Sequence, residues 1–390
     1  MHLVVVSSFD YPDGGPAAAR HMALASGLAA CGHQVSFLLL RHPKPERPTG
    51  ADGSIHWTSV ASSRTGSPIG WRLMAVSRVG AALGSIAASN PVDAVLLINR
   101  DPVLMEAGLK AAKSHRIPVL HEITEFPDVV RPTGAFGALA QRGFLLRHLP
   151  ALDGVVVISR PIQDYVTNWA KVPTLLLGSI VDTTVNTPLP PLQLIGSFVV
   201  GYAGSLSQVK DGVLNLLKAV AEAAPQLAPE IRIRLELIGD TKSPPGRTAV
   251  RESQLLGMDD RVKFHGQVPQ NEVRGHLAKC HLLALPRPAS RQASGGFPTK
   301  LGEYLSTARP VLATAVGDIP RYLAHKDTCY LVAPNDVAAL ARSILEIARD
   351  YPEARAIGER GRKLVEQSFA ATVQAPKIVS FIEHLSGSIK

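Results

Sequence analysis

The sequence predicts an α/β protein of two domains, each a parallel sheet covered by helices on both faces. Three observations carry that prediction. Short runs of Val, Leu and Ile recur along the 390 residues and alternate with longer helical stretches, the pattern of parallel strands buried on both sides. Apolar residues make up 46% of the chain but aromatic ones only 5%, so the cores are aliphatic. A proline-rich stretch with few charges at 183–197 interrupts the alternation, which then begins again. The length is too great for one ordinary domain and sufficient for two cores.

Taken in order, "HLVVVSS" is a buried strand, and 16–30 is an alanine-rich helix stopped at Gly32-His33. "QVSFLLL" and the shorter "SIHWTSV" are strands, and 68–89 is a helix. "DAVLLIN" and "PVLHEI" are strands separated by a helix over 102–115. "GALAQRGFLLRHLP" reads as an amphipathic helix, "GVVVIS" as a strand and "RPIQDYVTNW" as a helix. The domains are expected at 1–182 and 198–370, with 183–197 as linker and 371–390 as a C-terminal helix. In the second domain "FVVGYAGS", "IRLELIG", "VKFHG", "HLLALP", "PVLAT" and "CYLVAP" are strands. Helices fill 212–224, "NEVRGHLAKC", 299–307 and the tail. Strand and helix alternate, so each sheet is expected to be parallel.

The net charge of +9 favours an anionic partner. Nucleic acid is not expected, because the chain has no dense Lys/Arg run interleaved with aromatics. Cys31, Cys280 and Cys329 are odd in number and widely spaced, which suits neither a disulfide framework nor a zinc site. No metal is expected: Cys280-His281 has no second ligand pair nearby, and no Asp-x-Asp occurs. The opening "MHLVVVSSFD" lacks a basic leader, and no apolar run reaches membrane-span length. The expected location is cytoplasmic, with a possible peripheral site at the inner membrane face. Phe144, Leu145, Leu146 and Leu149 beside Arg142, Arg147 and His148 suit contact with an anionic bilayer, or an ordinary helix packed on its sheet.

Ligands of open α/β sheets bind beyond the carboxyl ends of the strands, and four segments there hold candidate residues. In "SSFDYPDGGPAAAR", Gly14 and Gly15 allow close backbone approach before a helix that starts at Pro16. In "GYAGSLSQVKDGV", Gly204 and Ser205 end a strand, and Lys210 stands just before a helix, able to reach phosphates or to lie solvated. In "ASGGFPTKLGEYLSTARPVLAT", Gly295 and Gly296 form a loop with free amides ahead of a helix begun by Pro298 and Thr299. Lys300 and Glu303 share one face of that helix, either as an ion pair or as ligands for a diphosphate and a ribose. In "PVLHEITEFPD", His121 follows a strand and is expected to face the ligand side; the other reading is a histidine satisfied by backbone.

Together these segments resemble the large retaining family 4 group of GT-B fold glycosyltransferases. The resemblance rests on Gly14, Gly15, Leu28, Gly32, His33 and Val35, on "LHE", "VVVIS" and "SIVD", and on "GYAGSL…K.GV", "LELIGD", "VKFHGQVP", "GFPTKLGEYL" and "RPVLATAVGDIPRYL" in the second half. It implies two Rossmann-like domains facing a central cleft, with the C-terminal helix returning to the N-terminal domain. It also implies a nucleotide-sugar donor, UDP- or GDP-linked, in the second domain. A saccharide, glycolipid or small-molecule acceptor belongs on the first. By resemblance Lys210 and Lys300 neutralise the diphosphate, amides near Phe297 to Thr299 hold its β-phosphate with Gly296 and Pro298 in the same donor-binding turn, and the Gly14-Gly15 loop contacts the donor phosphate or the acceptor. Glu303 binds ribose, His121 stands near the reacting carbon, and Gly204, Ser205, Gly239 and Val268 line the donor pocket. Three positions depart from the pattern. Gly295 replaces the first glutamate of a Glu-x7-Glu motif, Ser205 replaces an arginine, and Ala308-Arg309 replaces a glycine, with Arg309 expected at the surface. A nucleotide-sugar epimerase or hydrolase of the same fold and a non-catalytic homologue are the alternatives. A dinucleotide dehydrogenase lacks its Gly-x-Gly-x-x-Gly here.

Overall fold

The apolar runs become strands because both of their faces are covered by helices. The computed structural model describes residues 1–9, 16–41, 49–60, 70–99, 101–130, 134–227 and 229–388. The chain divides into two compact units, Met1–Asp182 with Ser368–Lys390, and Thr183–Gln367.

The first unit holds strands β1 (His2–Ser7), β2 (Gln34–Leu39), β3 (Thr49–Asp52), β4 (Ile55–Ser59), β5 (Ala94–Ile98), β6 (Val119–Ile123), β7 (Gly154–Val157) and β8 (Thr174–Leu176). Their order is β3-β4-β2-β1-β5-β6-β7-β8. Every pairing is parallel except β3 with β4. The order reverses between β1 and β5, so a crevice is expected beyond their carboxyl ends. Leu3, Val5, Phe37, Leu96, Leu120 and Val156 from the sheet share one core with Ala375, Ile378 and Ile382 of the C-terminal helix Ala371–Ser388. That helix lies on the helix Pro16–Ala30. The approach is close enough that a Cβ on Gly27 would stand 2.4 Å from the Ala371 carbonyl oxygen.

The second unit holds β9 (Ser197–Ala203), β10 (Arg232–Ile238), β11 (Val262–Gly266), β12 (Leu282–Leu285), β13 (Val311–Thr314) and β14 (Tyr330–Val332). The order β11-β10-β9-β12-β13-β14 is wholly parallel. This is the doubly wound order whose switch point falls between the first and fourth strands, here β9 and β12. Phe198, Val200, Tyr202, Leu235 and Leu282 pack with Leu216, Val220, Leu340 and Ile344 from the covering helices. Residues 183–197 are held on this unit, with the Leu189 amide on the Thr307 carbonyl at 2.9 Å and Arg362 donating to the Asn186 carbonyl.

Several elements differ from expectation. The helix expected over 137–150 is three pieces: α-helix Gly134–Gly143, a π-type turn Phe144–His148 and a 3₁₀ turn Leu149–Ala151 that contains Pro150. Leu145 and Leu149 of that segment are buried and serve the core, while Leu139 and Leu146 are exposed. Strands β3 and β8 and the helix Pro244–Leu255 add to the elements read above. Among the described residues no helix is long and apolar enough to cross a membrane.

Candidate functional site

At the switch point of the second unit the sequence builds a pocket of cations. β9 delivers Gly204 and Ser205 at its carboxyl end, and β12 delivers Arg287. Between them runs a four-residue helix, Gln208–Asp211, capped by the Ser207 hydroxyl and closed by Gly212 with φ of 72°. Lys210 therefore lies inside a short helix and not merely ahead of one. The longer helix Val213–Ala223 starts immediately afterwards.

Lys300 comes from the helix Thr299–Ser306. Tyr304 anchors that helix to the end of β9: its hydroxyl accepts from the Ala203 amide at 2.7 Å and donates to the Ala203 carbonyl at 3.2 Å. Leu301 and Leu305 fill the core beneath. The helix start has no side-chain cap, because Pro298 carries no oxygen to offer, so first-turn amides are left for a ligand. Phe297 is buried edge-to-face on Tyr322, which fixes the approach to this turn.

The Lys300 side chain is 19% exposed, and its Nζ reaches Asp211 Oδ1 at 3.1 Å and donates to the Tyr202 hydroxyl at 2.9 Å. The ammonium also lies over the Tyr202 ring, 4.7 Å from its centroid. The alternative pairing of Lys300 with Glu303 does not form. Burial pushes the Lys300 pKa below the ordinary lysine value, and the charges of Arg287 and Lys210 act in the same direction against Asp211. Lys210 and Arg287 therefore lie close enough to act on the Lys300 charge, and positive groups gather at this strand end. Glu303 is half-buried, with its carboxyl pKa raised by burial and lowered in part by Lys300.

Gly204 has φ of 143°, and a Cβ there would stand 2.3 Å from Lys300 Nζ. Gly239 follows β10, and its Cβ would meet the Gly204 carbonyl oxygen at 2.3 Å. These two glycines let the strand ends crowd the ammonium. Val268 lies beyond β11, half-buried.

Other expectations are corrected. Gly295 and Gly296 are not a free loop: Ser290 caps a short helix, Arg291–Gly295, and Gly296 is extended with φ of −94°. Arg309 is buried at 3% exposure and donates to the Ala278 carbonyl, so it is no surface residue. Gly14 and Gly15 lie outside the described residues. His121 is buried within β6 and does not sit exposed on the ligand side. Its Nδ1 is 2.8 Å from the Leu97 carbonyl. A carbonyl only accepts, so Nδ1 carries the proton. The His121 ring also packs on Phe144.

Two clusters in the first unit were not read from the sequence. Arg20 and His21 face Glu122, with Arg20 Nε 2.9 Å from Oε1 and His21 Nε2 2.5 Å from Oε2. Arg20 also donates to the carbonyls of Leu177 and Gly178. Burial raises the Glu122 pKa, but the Arg20 and His21 charges outweigh it and hold the carboxyl well below the usual range. Beyond β2 and β5, the guanidinium groups of Arg41 and Arg72 each lie over the Trp71 ring, 5.5 Å from its centroid. Arg72 pairs with Asp101 at 3.0 Å.

A family described as Glycosyl transferase 4-like domain matches residues 14–174. A family described as Glycosyl transferases group 1 matches residues 197–350. Among curated relatives, N-acetyl-alpha-D-glucosaminyl L-malate synthase of Bacillus anthracis is 32% identical over 42% of this chain. The aligned part spans only 40% of that relative's length. Among solved structures, the sucrose-phosphate synthase of Thermosynechococcus elongatus shares the fold over 100% of both chains, with TM-score 0.75 and 19% identity. The Anabaena protein HepE, solved with UDP and glucose, covers 98% of this chain and 100% of its own, with TM-score 0.69 and 17% identity.

Proposed function

From a chain that two matched domains and two Rossmann-like units identify as a GT-B glycosyltransferase resembling family 4, we propose that it moves a sugar from a nucleotide-sugar to an acceptor hydroxyl. The observation that carries this reading is Lys300 Nζ, held at the β9–β12 switch point among Lys210, Arg287 and an uncapped helix start. A UDP- or GDP-linked donor places its diphosphate there. Charge grows on the leaving oxygen as the anomeric C–O bond breaks, and preplaced cations and amides stabilise it without reorganisation. Glu303 accepts from ribose hydroxyls, and Ser205, Gly239 and Val268 border the nucleotide.

The transfer retains anomeric configuration. The acceptor oxygen attacks from the face the phosphate leaves, and the departing phosphate oxygen takes the acceptor's proton. No enzyme nucleophile takes part, and the lysine ammoniums and amides carry the charge that a metal ion carries elsewhere. The acceptor is a saccharide, glycolipid or small molecule on the first unit. The Arg41, Trp71 and Arg72 cluster beyond β2 and β5 offers cations for an anionic acceptor group, held in place by the Trp71 ring. His121 supports that unit from within β6, its Nδ1–H donated to the Leu97 carbonyl. Leu139 and Leu146, 69% and 57% exposed, stand with exposed Arg142 and Arg147 on one segment and offer contact to an anionic membrane.

The test is transfer itself. Purified protein with UDP-glucose, UDP-N-acetylglucosamine or GDP-mannose is expected to release the nucleoside diphosphate faster when an acceptor is added. Proton NMR of the product is expected to show the donor's anomeric configuration. Acceptor-independent release alone points to a hydrolase, and an inverted product removes the retaining mechanism.

A further inference from the structure

We propose that Asp211 is a positioning residue of this site: it holds the Lys300 ammonium at the end of β9 and keeps it charged for the incoming diphosphate. The inference rests on the reading of the pocket as a nucleoside-diphosphate site. Its basis is the cost of burying a carboxylate at this place. Asp211 is 2% exposed, its Oδ2 is buried with no hydrogen-bond partner, and its Oδ1 accepts from Lys300 Nζ, with the Tyr202 hydroxyl, itself bonded to that ammonium, as its other polar neighbour. A buried carboxylate is expensive, and in an anion site it also repels the ligand. Its ion pair there is with the Lys300 ammonium.

The groups around Lys300 show why that cation needs it. The short helix Gln208–Asp211 brings Asp211 and Lys210, β9 brings Tyr202, the segment after β12 brings Arg287, and the lysine's own helix carries Glu303 and Tyr304. Tyr202 is a neutral partner, since burial and Asp211 raise its pKa far above the ordinary phenol. Glu303 forms no ion pair with Lys300. Burial, Arg287 and Lys210 all favour the neutral amine, and Asp211 leads the interactions that oppose them. Without Asp211, Lys300 deprotonates at lower pH and its electrostatic hold on a diphosphate is lost.

The test is Asp211→Asn, which keeps shape and removes charge. Calorimetric titration with UDP and with GDP is run on the full chain from about pH 6.5 to about pH 9.5, a window below the ordinary lysine pKa. The expected result is a crossing. At the acid end, where the charged form of Lys300 is most favoured in both proteins, the variant binds at least as tightly because a repelling charge is gone. At the alkaline end it binds about tenfold or more weakly than the wild type, a loss of one order in affinity. Asp211→Asn with Lys300→Arg flattens the profile, since arginine stays charged. Binding weakened equally at every pH means a structural role only, and binding tightened at every pH means simple repulsion; either overturns the proposal.

A second measurement needs no nucleotide. In protein with ¹³Cε-labelled lysine, the Lys300 resonance, assigned with Lys300→Arg, is expected to titrate at lower pH in Asp211→Asn. An unchanged midpoint overturns the proposal. If the wild type binds neither UDP nor GDP, the donor reading fails, and this titration still decides whether Asp211 holds Lys300 charged.

Discussion

Lys300 Nζ occupies the space that a side chain on residue 204 would need. A Cβ built on Gly204 stands 2.3 Å from Nζ and 3.0 Å from Cε, at a backbone φ of 143° that a side chain also strains. Gly204→Ala is therefore expected to push the ammonium off Tyr202 and Asp211 while leaving the β9 core in place. Affinity for the nucleoside diphosphate should fall by about tenfold or more, roughly 1.4 kcal/mol. Isothermal titration with UDP and GDP checks this, and unchanged affinity contradicts it.

Glu122 is expected to stabilise the first unit. Glu122→Gln leaves the Arg20 guanidinium buried without its counter-charge, which costs about 3–5 kcal/mol near neutral pH. The sign with pH follows from the depressed carboxyl pKa. Stability from the cluster is full above the unfolded glutamate pKa of about 4.3. It is lost as pH falls through that value toward the lower folded one. Urea unfolding of both proteins should show a gap that is wide at pH 7 and narrows in acid. A gap independent of pH contradicts this account.

Trp71 and Arg72 are expected to act on the acceptor alone. Trp71→Ala or Arg72→Ala should raise the acceptor KM several-fold in the transfer assay, in line with the roughly 0.5–1 kcal/mol an exposed cation–π contact supplies. Donor affinity should stay at the wild-type value. A change in donor affinity, with the acceptor KM unaltered, places the acceptor elsewhere.

The exposed segment with Leu139 and Leu146 predicts binding to anionic vesicles. Arg142→Glu with Arg147→Glu should weaken co-sedimentation with phosphatidylglycerol vesicles by about tenfold or more, taking about 1 kcal/mol per basic residue. Phosphatidylcholine vesicles should show little binding of either protein. Equal binding of both proteins to the anionic vesicles removes the membrane role.

The elements were legible where pattern and burial coincide. "AVLLI" of β5 and "LLAL" of β12 are unbroken apolar runs because helices cover both faces of the sheet. β3 was missed because "TGAD" is a mostly exposed edge strand with no apolar alternation, although Asp52-Gly53 marks its hairpin. The helix Pro244–Leu255 was missed because polar residues dominate it. In the site, Lys210, Lys300 and Glu303 stood out beside glycines. Asp211, Tyr202 and Arg287 did not, because the pairing of Asp211 with Lys300 spans 89 positions and only the fold closes it. Arg20 and His21 had left a signal: they are the only charged or ionisable residues in the helix Pro16–Ala30. Such a pair within an alanine-rich helix calls for a buried partner, which the fold supplies from β6.

The central claim is that a nucleoside diphosphate binds in the second unit against Lys300. Isothermal titration of wild type and Lys300→Ala with UDP, GDP, ADP and dTDP tests it most directly. The account predicts that at least one of these binds the wild type and that Lys300→Ala weakens it about thirtyfold or more, roughly 2 kcal/mol. Equal affinity in the two folded proteins, or no binding of any of the four to the wild type, would contradict it.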